Sequence, residues 1–492
     1  MNDAFTGPAP GPVGALHPPE HGDLTLRQHD RTEIWLMSVD VSEHMDAPPL
    51  EFSECRAGSG PLAWAQKGMW NNIRALAPDD QHLNVMLTLE APDGGSSVDR
   101  VLAALRTLVA RHDALRTTFR RGDDDQPVQT VAGQGAVPVA LATGPDAVRR
   151  LSDAQSGLAA RRFDLEVDLP WRVGLAMAGG RVQSVVLCLS HLVVDGWATQ
   201  LLLEELAALL AGTRALPPVT RQPIEQARYE REVLAPRLGK RVPAHWRKVL
   251  STCQLGDETF TLRGEPATPR FWQGSYLSEA SSCASRMLAA RHGVSQTSVF
   301  LAAAARVLTV YAGRDTLPVL LRVTNRFAPE VKRSLVYLCQ NTPVLLENGG
   351  APFPRLVRSA HQAALRAYQC SQYDPDDVRS VLDEIHQPDI IPDLVTLNLV
   401  SHGATIAGDR GRPERPDGAK PRDLLQDSSF TWRRKFDNER IRLFLSVFRG
   451  VSYQVIGDTC YFPPEQIEAT ARLIEATLVD EAERDSDPLR PG

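Results

Sequence analysis

The run Ser184-Val185-Val186-Leu187-Cys188-Leu189 leads directly into Ser190-His191-Leu192-Val193-Val194-Asp195-Gly196-Trp197, and a leucine-rich stretch then continues to Gly212. An apolar run, a glycine and a leucine-rich segment in that order read as a strand, a sharp turn at Gly196 and a helix. His191 then sits where the strand runs out, facing whatever cavity the sheet borders, with Asp195 four residues on to brace the turn. A neutral imidazole at a cleft accepts a proton from an amine or hydroxyl near neutral pH, which is what acyl transfer requires. With 12 histidines, about one His-x-x-x-Asp spacing is expected by chance, and this is the only one in the chain. A second reading stays open on these residues alone: a buried histidine at a strand end, with Asp195 serving only as the N-cap of the next helix.

The same grammar recurs along the chain. Residues 1–50, rich in Pro, Gly, His and Asp, read as an irregular extension with one short apolar stretch at Ile34-Trp35-Leu36-Met37. Gly58-Ser59-Gly60-Pro61 reads as a turn, and Leu62 to Trp70 as the start of a helix. His82 to Leu89 alternates as a strand does, and Ser96-Ser97-Val98-Asp99 caps a helix with Val98, Val101, Leu102, Leu105, Leu108 and Val109 on one face. A helix at 144–162 follows, then a hairpin from Trp171 through Gly179-Gly180 to His191, and a helix over 197–211. The second half is expected to hold helices at 279–292, 296–312 and 353–369, and strands at Leu317–Val323, 334–346 and 393–400. A hairpin turning near Arg449-Gly450 and a helix from 464 to 481 complete it. The charged, Pro/Gly-rich residues 408–424 read as a loop. Strands and helices mixed in this way, twice over, imply two α/β lobes with a cleft between them.

Composition removes several classes. At 492 residues, 43% hydrophobic and 23% charged, the chain has the make-up of a globular protein long enough for two domains. The net charge of −6 argues against nucleic-acid binding, and no basic cluster exceeds Arg433-Arg434-Lys435. No apolar run reaches the roughly 18 residues that span a bilayer, and the N-terminus lacks a basic-then-apolar signal pattern. The seven cysteines (Cys55, Cys188, Cys253, Cys283, Cys339, Cys370, Cys460) are scattered singly, as reduced thiols of a cytoplasmic protein are. His17-Pro18-Pro19-Glu20-His21 has a metal-like spacing, but its prolines forbid the helix that would align the imidazoles. No metal and no chain-bound cofactor are expected.

In motif order the sequence resembles the condensation-domain family of nonribosomal peptide synthetases, within the chloramphenicol-acetyltransferase-like superfamily. Pro61 to Trp70 is similar to the opening Ser-x-Ala-Gln-x-Arg-x-Trp motif, with Pro61 and Lys67 as departures. Arg111-His112-Asp113-Ala114-Leu115-Arg116-Thr117-Thr118-Phe119 matches the second motif almost throughout, and Ser190-His191 to Asp195-Gly196 matches the active-site motif His-His-x-x-x-Asp-Gly except at its first position. Gln226-Ala227-Arg228-Tyr229 matches the following motif poorly, Gln340-Asn341-Thr342 resembles an Asn-Thr ending, and Ser371-Gln372-Tyr373 stands where a His-Gln-Asp segment is expected. The resemblance covers about residues 55–485.

It implies two similar lobes in a V-shaped pseudo-dimer, divided here as 51–235 and 236–492, with an active-site tunnel through the middle. It implies His191 as the catalytic histidine, Asp195 as an architectural partner of an arginine for which Arg326 is the candidate, and Gly196 as the point where the acyl group passes the backbone. Ser190 replaces a structural histidine. Trp197, Gln340, Asn341 and Thr342 are the candidates for the tunnel wall. The donor would be a thioester on the phosphopantetheine arm of a peptidyl or acyl carrier protein, met in trans because no adenylation, carrier or thioesterase signature flanks the unit. The acceptor, an amine or hydroxyl, would be a small molecule or carrier-bound. Arg433-Arg434-Lys435 is the candidate docking patch for an acidic carrier. Competing readings are a non-catalytic recruiting module and a polyketide-associated O-acyltransferase. Cyclodehydration would need Asp in place of His191.

Overall fold

The structure is a computed structural model describing residues 45–484 apart from 47–48, 93, 145, 148–156, 252–259, 261, 263, 348–349, 401–419 and 449. Nearly all of the expected extension 1–50, the His17–His21 spacing, most of the helix expected at 144–162 and most of 408–424 lie outside the described residues.

The first sheet contains β1 (Met45–Asp46), β2 (Val85–Glu90), β3 (Val139–Thr143), β4 (Trp171–Ala178) and β5 (Arg181–Leu189), in the order β1-β3-β4-β5-β2. The β4–β5 hairpin turns at Gly179 and Gly180, whose positive φ values of 58° and 73° are what a two-residue turn needs to match the right-handed twist of the strands. Val185 to Leu189 are buried on both faces. Val185 and Leu187 enter the main core, while Val186 packs with Ala142, Ala147 and Ala176 on the other side. That double burial explains a run without alternation. Helices α1 (Trp64–Leu76), α2 (Val98–Arg111) and α3 (Gly196–Leu210) complete this half, and Ser97 caps α2 by accepting from Arg100 N at 3.3 Å. Gly58–Pro61, expected as a turn, is instead a strand paired with Pro127–Val131. The glycine has a packing reason there: a Cβ at Gly60 would come within 2.8 Å of Ile224 Cγ2.

After α4 (Arg241–Leu250), the second half is built on β6 (Phe271–Leu277), β7 (Thr316–Val323), β8 (Gln340–Glu347), β9 (Thr396–Val400), β10 (Ser429–Phe436), β11 (Leu443–Phe448) and β12 (Ser452–Asp458). Their order is β8-β7-β9-β11-β12-β6-β10, with β7–β9 and β9–β11 parallel. Helices α5 (Glu279–His292), α6 (Gln296–Ala312), α7 (Phe353–Tyr368) and α9 (Pro464–Arg484) share one core with this sheet, and α8 (Pro375–Glu384) joins α4 in a smaller cluster around Trp246. No single helix among the described residues is long and apolar enough to cross a membrane.

The halves interlock through residues 334–339, expected as strand but irregular up to Gln340. Leu335 and Tyr337 bury their side chains in the core of the first half, and the surrounding backbone groups bond to side chains instead of to a ladder. A second tie joins Lys67 of α1, almost fully buried, to Asp374 (2.9 Å) and Asp376 at the start of α8.

Candidate functional site

β5 ends at Leu189, so His191 lies in a turn between strand and helix, and α3 opens at Gly196. Gly196 has no left-handed φ, and a Cβ there would meet nothing within 4 Å. The turn itself therefore does not demand glycine, contrary to the sequence reading. What glycine provides is open space at the mouth of a helix.

Asp195 is the N-cap of α3, accepting from Ala198 N at 2.9 Å with Oδ1. The same oxygen accepts from Arg326 Nη2 at 3.0 Å, and Oδ2 accepts from Leu338 N at 3.0 Å. Arg326 also donates to the carbonyls of Val331, Ser334 and Val336 at 2.6–2.9 Å. Both side chains are 1% exposed. The capping reading and the ion-pair reading of Asp195 are thus both present in one carboxylate.

His191 Nδ1 lies 2.7 Å from the carbonyl oxygen of Val194. A carbonyl only accepts, so Nδ1 carries the proton and Nε2 keeps the lone pair. Burial is the largest influence on this imidazole and holds its pKa below the ordinary histidine value; the Val194 carbonyl pulls the other way, and Arg322 adds a lowering charge. At neutral pH the ring is a neutral base. Tyr337 meets it edge-on with ring centroids 5.1 Å apart.

His191 borders a cavity of about 960 Å³ between the halves. Asp195, Gly196, Trp197 and Leu201 line it from the first half, and Arg322, Phe327, Tyr337, Cys339, Asn398, Phe444 and Gln454 from the second. Ser190 lies off it. The residue is 3% exposed and borders a second, small pocket with Ile73, Leu83, Phe163 and His191 itself, and its Oγ accepts from Leu192 N at 3.4 Å.

Residues 57–402 match the model of the condensation domain family. The chain belongs to that family. The AMB antimetabolite synthetase AmbB of Pseudomonas aeruginosa is 31% identical over 292 residues, 58% of this chain and 23% of AmbB, so the chain spans less than a quarter of that relative's length. The condensation domain of the monacolin K polyketide synthase MokA superposes with a TM-score of 0.68 at 16% identity, covering 87% of this chain and 98% of that one. The epimerization domain of tyrocidine synthetase B superposes with a TM-score of 0.66 at 17% identity over 88% of this chain and 98% of that one. The fold is the two-lobe chloramphenicol-acetyltransferase-like one.

In this condensation domain the second motif is scaffolding. Arg111 Nε and His112 Nε2 both reach Glu205 of α3, at 2.9 and 2.7 Å, and Arg116, fully buried, donates to Asp113 and to the carbonyls of Val109, Arg56 and Ala132. Of the four tunnel-wall candidates, Trp197 lines the cavity and donates from Nε1 to the Lys332 carbonyl at 2.8 Å. Gln340, Asn341 and Thr342 are not among its lining residues. Gln340 Nε2 donates to Tyr373 O, Thr342 Oγ1 to Cys370 O, and Asn341 Oδ1 accepts from Arg322 Nε. β8 is an edge strand, and β7 stands between it and the rest of the sheet. Arg433, Arg434 and Lys435 lie on β10, where Arg434 stacks on Phe436 and Lys435 on Trp272. A bulge in the pairing with β6 falls at Arg433, so the three charges do not form one uniform face. Cys339 packs against the core of the first half and borders the cavity, with its Sγ 3.7 Å from Asp195 Oδ2. Sequence reasoning missed Arg322 and Tyr337. A lone arginine in the apolar strand Leu317–Val323 was the available signal for the first.

Proposed function

We propose that this condensation domain forms an amide or ester bond by transferring an acyl or aminoacyl group from a carrier-protein phosphopantetheine thioester, the carrier arriving as a separate partner, to an amine or hydroxyl acceptor. The observation that carries the reading is the Nδ1–H···O=C bond from His191 to Val194, which leaves Nε2 as the base on a residue bordering the inter-lobe cavity. Nε2 takes the acceptor's proton as its nitrogen or oxygen attacks the thioester carbonyl. The carbon–sulfur bond then breaks, and the proton passes to the departing thiolate. Positioning two reactants in one cavity supplies roughly 7–11 kcal/mol of the barrier reduction, and the general base roughly 10²–10⁴-fold. Gly196, opening α3 beside His191, offers a helix N-terminal amide to the developing oxyanion. Asp195 acts through the turn, since both its oxygens are occupied by structural donors.

Intact-mass measurement of acyl-loaded carrier proteins incubated with the chain and a panel of amines and alcohols tests this. Product is expected with the wild type, and His191→Ala should lower turnover by about 10²-fold or more at unchanged melting temperature. Wild-type rates in the variant would remove His191 from the chemistry. Absence of product with every carrier, together with capture of a partner enzyme, would favour the recruiting-module reading. Equal rates with acyl-coenzyme A would defeat carrier dependence.

A further inference from the structure

We infer that the acceptor taken by this cavity carries a carboxylate, held by Arg322; the word acceptor rests on the acyl-transfer reading, the anion site does not. Arg322 stands on β7 directly opposite Asn341 of β8. Its Nε donates to Asn341 Oδ1 at 3.1 Å, and its guanidinium lies 5.2 Å from the centre of the Phe444 ring. One edge of the fork is thus held from behind and one face is stacked, while Nη1 and Nη2 have no hydrogen-bonded protein acceptor among the described residues. A planar fork fixed in this way matches a carboxylate bidentately.

Nothing anionic on the cavity wall neutralises it. Of the two carboxylates there, Asp195 is saturated by Arg326, Ala198 and Leu338, and Glu204 is exposed and accepts from Gln200. The wall beside Arg322 is also polar in register. Leu321 pairs with Leu397, which brings Asn398 next to Arg322. Asn398 pairs with Ser446, and Ser446 with Gln454. Asn398 Nδ2 donates to Ser446 Oγ at 3.0 Å, and all three border the cavity. A polar row crossing an otherwise apolar floor fits a compact acceptor with a charged end and hydrogen-bonding groups. The phosphate of a carrier arm is the other anion the site could meet, but it lies at the opposite end of the arm from the thioester, whereas Arg322 lines the same cavity as His191.

Titration calorimetry on the full chain distinguishes these, with two probe pairs: 3-phenylpropanoate against 3-phenylpropanamide, and phosphopantetheine against pantetheine. The wild type is expected to bind the carboxylate about tenfold tighter than the amide, and Arg322→Gln should abolish that preference. Asn341→Ala, which frees the fork but keeps the charge, should reduce it and carries the test if Arg322→Gln does not fold. Equal binding of acid and amide by the wild type, an undiminished preference in these variants, or a gain that follows the phosphate alone would overturn the inference. A carboxylate preference that tracks Arg322 in a protein giving no acyl-transfer product would keep this site and remove the proposed reaction.

Discussion

Asp195 and Arg326 stand 131 residues apart in the chain and 3.0 Å apart in space, each 1% exposed, one capping the helix that follows His191 and the other holding the loop that supplies Tyr337. The pair fastens the His191–Gly196 turn of one lobe to the cavity wall of the other. Removing either partner strands the other charge in a buried site, a loss of about 3–5 kcal/mol. Asp195→Asn and Arg326→Met are each expected to lower the unfolding free energy from denaturant titration by that order, and the double variant to lose less than the sum. Additive losses, or full stability with lost activity in Asp195→Asn, would contradict a structural pairing.

Ser190 is not on the wall of the inter-lobe cavity, and Leu192 N is the donor to its hydroxyl. Ser190→Ala should keep turnover within about twofold and cost at most about 1 kcal/mol. Ser190→His forces an imidazole against Ile73, Leu83 and Phe163 and should cost about 1–3 kcal/mol without raising the rate. A fall in Ser190→Ala as deep as that in His191→Ala would place this hydroxyl in the chemistry.

The base set up by the Val194 carbonyl titrates below the ordinary histidine value, because burial outweighs that hydrogen bond. With the neutral form as the proposed base, kcat/KM should be flat across pH 7 and fall only on acidification past the usual histidine range. Arg322→Gln removes a lowering charge and should move that limb to higher pH. A limb that does not respond to Arg322 would mean that another group titrates.

How much of this was legible beforehand follows from what each residue depends on. The helices at 279–292 and 296–312 were readable from Ser278 and Ser295 caps and glycine stops, which are local. The His191–Gly196 turn was readable because strand, turn and helix signals adjoin. β6 and β10, α4 and α8 were not seen, since these short segments owe their structure to neighbours distant in the chain: β6, for example, pairs with residues 429–436 and 452–458. Residues 334–339 read as strand because they are mostly apolar, but Leu335 and Tyr337 are buried in the other lobe's core and Val336 and Leu338 in a small separate cluster, and an apolar run alone does not say whose core it fills. Gln340, Asn341 and Thr342 were tunnel-wall candidates through motif resemblance and do not line the cavity, and Arg322 was left out because its place beside His191 exists only once the two lobes meet.

Glu230 provides a measurable link between pH and packing within the first lobe. Its carboxylate accepts from Trp64 N at 2.6 Å and from Gln226 Nε2 at 2.8 Å, tying the start of α1 to the helical segment after Pro223. Burial raises its pKa to about 7, outweighing the two hydrogen bonds that favour the ionised form. The folded state therefore binds a proton that the unfolded chain has already released above its ordinary value of 4.5. In this interval the unfolded state binds fewer protons, so the stability contributed by this group is full below pH 4.5 and declines as pH rises to about 7. Glu230→Gln removes the titration while keeping an acceptor for Trp64 N. Melting temperature measured from pH 4.5 to 8 should fall less steeply in the variant than in the wild type, the two curves diverging most below pH 7. Parallel curves would show that the carboxyl is ionised in the folded protein throughout and that its burial is compensated by Trp64 and Gln226.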